Sequence, residues 1–125
     1  MEDFNLLLIE KYKNNINKNI ETLVIDIDGV IASLVEDGNY SNANAINENI
    51  NYINKLKLSG VKIILFTARG SASGINWRKV TELQMKEWGV LYDELLFGKP
   101  AGDLYIDDKA ATPSVLKLLA KRFKK

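Results

Sequence analysis

Neither cysteine nor histidine occurs among the 125 residues. Without cysteine there are no disulfides, no thiolate metal sites and no thiol nucleophile. Without histidine, Ser-His-Asp hydrolysis, phosphohistidine transfer and most zinc chemistry are excluded. Catalysis must then run on carboxylates, hydroxyls, lysines or a hard metal ion held by oxygen. An excess of one charge is also missing: 17 Lys and Arg stand against 16 Asp and Glu, a formal net charge of +1. That leaves no strong field for holding nucleic acid or an anionic membrane. No apolar run reaches membrane-spanning length, and the N-terminus lacks a basic-then-apolar signal pattern, so a cytoplasmic location is expected. There is no internal repeat and no Pro/Ser-rich linker. The asparagine-rich stretches, Asn14 to Asn19 and Asn42 to Asn54, are compositional bias, because apolar residues continue through them.

What is present fits one compact domain spanning residues 1–125, with 1–20 as an N-terminal extension. Phe4, Leu8, Tyr12 and Ile16, four apart, read weakly as a helix. Thr22 to Ile27 is a short apolar run of the kind that forms a buried parallel strand ending at a functional loop. Val30 to Tyr40 reads as an irregular turn or small hairpin. Ala45 to Leu58 is helical, with Ile46, Ile50, Ile53 and Leu56 on one face and Gly60 placed as a C-terminal cap. Val61 to Phe66 is a second strand, and Asn76 to Trp88 a second helix closed by Gly89. Glu94 to Phe97 and Leu104 to Ile106 are expected as third and fourth strands. Thr112 and Pro113 open a last helix running to about Arg122, with Val115, Leu119 and Phe123 inward. Alternating strands and helices imply an α/β fold: a Rossmann-like three-layer sandwich around a mostly parallel sheet. Ligands of such sheets bind beyond the carboxyl ends of the strands.

The polar residues collect at those ends. Asp26 and Asp28 stand two apart at the end of the first strand, followed by Gly29, which permits a tight turn. One carboxylate of such a pair can attack phosphorus while the other exchanges a proton with the leaving oxygen. A solvated turn or part of a calcium loop would use the same residue types. Thr67 ends the second strand, where a hydroxyl and backbone N–H groups can hold phosphate oxygens. Lys99, in Phe97-Gly98-Lys99-Pro100, could neutralise an attacking carboxylate and a transferring phosphoryl group, or be a surface lysine. Asp107 and Asp108 follow Leu104-Tyr105-Ile106. Adjacent carboxylates repel unless a cation joins them, and Mg2+ suits such a site; a helix-capping acid pair is the plain alternative.

Acid pair, hydroxyl, lysine and acid pair, in that order, resemble the four motifs of the haloacid dehalogenase superfamily of phosphohydrolases. The first is Val24-Ile25-Asp26-Ile27-Asp28-Gly29-Val30 and the second Leu65-Phe66-Thr67. Lys99 and Leu104-Tyr105-Ile106-Asp107-Asp108 match the third and fourth. The run Phe97 to Pro100, followed by Asp103 to Ala110, is also similar to small capless members associated with capsular or surface polysaccharide synthesis. The resemblance implies an aspartyl-phosphate on Asp26, Asp28 as acid and base, and Thr67, Ala68 and Arg69 at the substrate phosphate. It also implies Lys99 as the neutralising cation and Mg2+ held by Asp26, Asp28, Asp107 and Asp108. The stretch from Ala32 to Asn44 is too short for a helical cap domain. An open site implies either a macromolecular substrate or closure by a partner subunit; near-neutral charge disfavours nucleic acid, so a small phosphorylated sugar is expected, with a homo-oligomer covering the site. Arg69, Ser71 and Ser73 are candidate substrate contacts, whereas Trp77 and Trp88 are expected to be packing residues. A phosphomutase, a polynucleotide-end phosphatase and a non-catalytic binding module with the same fold are the rival readings.

Overall fold

The computed structural model of the chain describes residues 19–122. Three strands form one sheet in the order β1-β2-β3, with β1 at Thr22–Ile25, β2 at Lys62–Thr67 and β3 at Glu94–Phe97. Both pairings are parallel, with Ile25 opposite Leu65 and Thr67 opposite Phe97. Parallel neighbours need a crossover, and helices supply both. Helix α1 (Asn47–Leu58) links β1 to β2, and α2 (Arg78–Glu87) links β2 to β3. A final helix, α3 (Val115–Arg122), follows. The expected α/β, Rossmann-like parallel sheet is therefore present. The expected N-terminal helix and Phe123 lie outside the described residues.

The helices form where apolar spacing and end signals agree. In α1, Ile50, Ile53 and Leu56 are buried on one stripe, Glu48 lies in the first turn, and Lys55 and Lys57 lie in the last. Those charges complement the helix dipole. Gly60, at φ 102°, turns the chain out of the helix, and Val61 N–H closes back on the Leu56 carbonyl at 3.1 Å. A left-handed residue at this position is nearly free of strain only for glycine. Along β2, Ile63, Leu65 and Thr67 are wholly buried while the residues between them are not. Each fully buried Ile or Leu contributes about 1.5–3 kcal/mol.

One core cluster joins Ile25, Ile63 and Leu65 of the sheet to Ile50, Ile53 and Leu56 of α1, Met85 of α2, and Val115, Leu116 and Leu119 of α3. All three helices thus contribute to the core on the sheet face that carries Ile63 and Leu65. On the other face Val24 is 63% and Leu96 43% exposed. The asparagines have structural work after all. Asn54 accepts from Leu91 N–H and donates to the Gly89 carbonyl, both at 2.8 Å, tying α1 to the turn before β3. Asn49 likewise donates to the Val30 carbonyl at 2.9 Å.

The stretch between β1 and α1 holds a single 3-10 turn, Tyr40–Asn42, and isolated bridges from Ala32 to Asp28 and to Ala45. Of the two forms expected for Val30 to Tyr40, it takes the irregular turn and not the small hairpin. The larger difference lies after β3. Leu104 to Ile106, expected as a fourth strand, pair with no strand, and Leu104 and Ile106 are 77% and 91% exposed. The apolar triplet signals strand, but it is only three residues long. The Tyr105 hydroxyl donates to the Pro100 carbonyl and accepts from Gly102 N–H, at 2.7 and 3.0 Å. Those bonds curl the segment on itself.

Candidate active site

The pairing register brings the strand ends level. Ile25 stands opposite Leu65, so Asp26 follows β1 at the height of Phe66, while Thr67 and Phe97 close β2 and β3 side by side. Lys99 is two residues further on, and its N–H donates to the Thr67 carbonyl at 3.2 Å. That bond prolongs the β2–β3 pairing and aims the lysine across the sheet end. Lys99 Nζ lies 3.2 Å from Asp26 Oδ2. The other oxygen, Oδ1, accepts from Ile27 N–H at 2.8 Å. The Lys99 ammonium also sits 4.2 Å from the centre of the Tyr105 ring, a cation–π contact. Asp26 and Lys99 are thus brought together, as an attacking carboxylate and its counter-charge require.

After Asp26 the chain turns at once. Ile31 and Ala32 N–H both return to the Ile27 carbonyl, at 2.8 and 2.9 Å, and Gly29 takes φ 88°. This tight loop presents Asp28. Its carboxylate is gripped by Arg69, with Nη2–Oδ1 at 2.9 Å and Nε–Oδ2 at 3.0 Å. Paired contacts of this kind fix orientation as well as charge. The rest of the guanidinium is also engaged. Nη1 donates to Gln84 Oε1 at 2.6 Å and to Thr81 Oγ1 at 3.1 Å. Tyr40 covers it, with its ring centre 4.7 Å from the guanidinium carbon, and Trp77 meets Tyr40 edge-on at 5.1 Å. Gln84 in turn donates to the Tyr40 carbonyl at 2.7 Å.

This geometry corrects the expectation for Arg69. It was expected as a substrate contact, yet it is 2% exposed and its donors are taken up by Asp28, Thr81 and Gln84. A buried guanidinium is stable only with charge and hydrogen bonds around it, and Asp28, Thr81, Gln84 and Tyr40 supply them. Arg69 therefore positions Asp28. Thr67 is also wholly buried, and its Oγ1 accepts from Arg69 N–H at 3.1 Å, stabilising the turn. Ala68, between them, is half-buried. Ser71 Oγ donates to the Lys99 carbonyl at 2.7 Å, and Ser73 Oγ accepts from Ile75 N–H at 3.2 Å, so both serve the loop. Gly70 is required there, since a Cβ would run into the Ile75 carbonyl.

Asp107 and Asp108 are not brought to Asp26 and Asp28. They lie in the exposed segment after β3, and among the described residues no group of three or more acidic side chains converges as a metal site needs. The Asp107 carboxyl is held below its ordinary value, first by the Lys109 N–H it accepts at 2.9 Å and then by the side chain of Asp108. The expected Mg2+ set is therefore incomplete in this arrangement. Asp26 and Asp28 are turned to Lys99 and Arg69, and the expected fourth strand that would end at Asp107 is not formed.

Sequence reading missed Tyr40, Thr81 and Gln84. The only sequence signal for the last two was their place at i and i+3 on the face of α2 that also buries Met85. Polar groups at core positions call for a partner, but nothing in the sequence says which.

No family model and no curated protein matches the chain. Solved structures do. A crystal structure of a target protein from Vibrio cholerae superposes with a TM-score of 0.68 at 25% identity, covering 84% of this chain and all of that one. A chain of the Pnkp1/Rnl/Hen1 RNA repair complex gives 0.52 at 21% identity, with this chain covering 30% of it. The D,D-heptose 1,7-bisphosphate phosphatase from B. bronchiseptica, crystallised with magnesium and phosphate, gives 0.51 at 18% identity, covering 83% of this chain and 64% of that one. These likenesses show the fold alone, an α/β fold built on a mostly parallel sheet. No helix among the described residues is long and apolar enough to cross a membrane.

Proposed function

We propose that the chain is a phosphatase of small phosphate monoesters, phosphorylated sugars in the first place, working through an aspartyl-phosphate on Asp26. The observation that carries this reading is the 3.2 Å pair of Lys99 Nζ and Asp26 Oδ2 at the carboxyl end of a parallel sheet, with Asp28 fixed beside it by Arg69. An anionic carboxylate can approach an anionic phosphate only where cations offset the repulsion, and Lys99 stands there to do so. In the first step an Asp26 oxygen bonds to phosphorus as the bond to the leaving oxygen breaks, and that oxygen takes the proton that Asp28 carries. In the second, water attacks phosphorus, Asp28 takes its proton, and the bond to Asp26 breaks to release inorganic phosphate. Arg69 holds Asp28 in one rotamer through both steps. Mg2+, when bound, would add neutralising charge at the phosphate; because its donors do not converge here, no step is assigned to it. The heptose bisphosphate phosphatase likeness supports the sugar reading, and the open sheet end supports closure of the site by a second copy of the chain.

The likeness to the RNA repair complex chain supports a second reading, removal of phosphate from a polynucleotide end. One assay separates the two and tests the first: phosphate release from sugar phosphates, 3′- and 5′-phosphorylated oligonucleotides and an aryl phosphate, with Asp26→Asn as control. Turnover lost by roughly 10⁴-fold or more in Asp26→Asn supports the nucleophile. Turnover unchanged in that variant, or absent on every substrate, rejects the phosphatase reading.

A further inference from the structure

A cleft of about 220 Å³ opens beside Lys99, between the loop after β2 and the end of β3. Ser71, Asn76, Trp77, Arg78, Phe97 and Gly98 line it. Two features make it more than a surface dent. Its wall is bonded to the site, because Ser71 donates to the carbonyl of Lys99, the residue that reaches Asp26. It also contains a cation with little else to do. Arg78 lies with its guanidinium 4.7 Å from the centre of the Phe97 ring, pinned to the end of β3. Its carboxylate neighbour, Glu82, is 3.9 Å away, and both side chains are about half exposed, at 48% and 51%. Such a pair is screened by solvent and contributes little. Arg69, on the inner wall, is already committed to Asp28.

The two cations that remain therefore face different places. Lys99 meets Asp26, where the reacting phosphate must lie, and Arg78 waits across the cleft between aromatic walls. We propose that this cleft binds a second anionic group on the substrate, a phosphate or a carboxylate, and that Arg78 is the residue that selects for it. The substrate is then a bis-anionic phosphate ester whose leaving group extends over Gly98 into the cleft. A planar guanidinium stacked on an aromatic ring keeps its edge free for bidentate recognition of such a group. The inference rests on the phosphatase reading only for the place of the reacting phosphate.

The test is binding of phosphonates, which cannot be hydrolysed, followed by calorimetry on the full chain. Propylphosphonate carries one anion, 3-phosphonopropionate adds a carboxylate, and propane-1,3-diphosphonate adds a second phosphonate. At least one bis-anion should bind about tenfold more tightly than propylphosphonate, an ordinary gain for a charge-assisted contact. The tighter of the two identifies which anion the cleft takes. Arg78→Gln should remove the advantage, Arg78→Lys should keep part of it, and Phe97→Leu should weaken it by loosening the guanidinium. Equal affinity for all three ligands, including no measurable binding of any, overturns the proposal, as does an advantage that survives Arg78→Gln. A retained advantage in a protein without turnover would sink the phosphatase reading and leave this one standing.

Discussion

The loop after β2 and the segment after β3 both carry charged residues, and the protein treats them in opposite ways. Arg69 is buried and each of its nitrogens has an acceptor, shared among Asp28, Thr81 and Gln84. Asp107 lies in a stretch, residues 101–111, where every residue is exposed, and it bonds to the backbone of its own turn. The first region is a set of charges fixed before any ligand arrives. The second is a set of carboxylates whose geometry a ligand would still have to impose. Preorganised groups assist a reaction without reorganising during it, so the chemistry that can be read from the structure lies with Asp26, Asp28 and Lys99. Anything requiring Asp107 and Asp108 depends on movement.

The largest effect should come from cutting the buried side of that comparison. Asp28→Ala leaves the Arg69 guanidinium buried without a counter-charge, and removing one partner of such a pair typically costs about 3–5 kcal/mol. Urea unfolding should show that loss. Arg69→Met, which removes the buried charge and fills the space with an apolar chain, should cost much less in stability while still lowering turnover, because Asp28 loses its fixed rotamer. If Asp28→Ala and Arg69→Met destabilise equally, the pair is not the buried, interdependent unit described.

Lys99→Met should come next. Removing a single preorganised charge-stabilising donor lowers kcat by about 10²–10³-fold. Folding should be little affected, since the contacts of Lys99 with Asp26 and Tyr105 lie in a partly open site. A KM effect alone, with kcat unchanged, would mean that Lys99 binds substrate equally in ground and transition states and does not support the attack.

A metal could erase the difference between the two regions. If Mg2+ draws Asp107 and Asp108 against Asp26, then Mg2+ at about 100 times its dissociation constant should add about 2.7 kcal/mol to unfolding. The amides of Leu104 and Ile106 should gain protection from hydrogen exchange, and Asp107→Asn should abolish both effects. No shift with Mg2+ would leave the segment a solvent loop and remove the metal from the proposed chemistry.

Legibility followed the same divide. The strands and helices around the core were readable because apolar spacing at Ile50, Ile53 and Leu56, the run Val61 to Phe66, and the glycines at 60 and 89 all agree. Asp26 was readable as a candidate because it follows a strand end, whereas Lys99, read alone, was as well explained as a surface lysine and became its counter-charge only through the resemblance of the four motifs. Arg69 was misread. Its place two residues past a strand end looks like a substrate loop, and only tertiary packing under Tyr40 and α2 turns it inward. Leu104 to Ile106 misled in the other direction. Three apolar residues signal a strand, but a strand is made by a partner, and no partner is encoded within the triplet itself.

The smallest effect belongs to a charge at the opposite end of the sheet, and it sharpens what distinguishes a structural acid from a chemical one. Asp93 Oδ2 accepts from Ile63 N–H at 2.8 Å, and Oδ1 lies 3.2 Å from Lys57 Nζ, so the residue before β3 clamps the start of β2. The Ile63 N–H, and after it Lys57, hold the Asp93 carboxyl below its ordinary value. A carboxyl depressed on folding stabilises the protein above its unfolded pKa near 3.9, and that contribution is lost as pH falls through the lower, folded value. Asp93→Asn should therefore be less stable than the native chain at neutral pH, and the gap should close as both are taken into acid through the lowered, folded value. Unfolding midpoints measured across pH 2–7 check this. Phosphate release, where present, should be unchanged in Asp93→Asn at neutral pH, because none of its contacts reaches Asp26, Asp28 or Lys99. A gap that stays constant down to pH 2 would mean that the asparagine loses packing or hydrogen-bond geometry and that the charge of Asp93 is not what holds the two strands together.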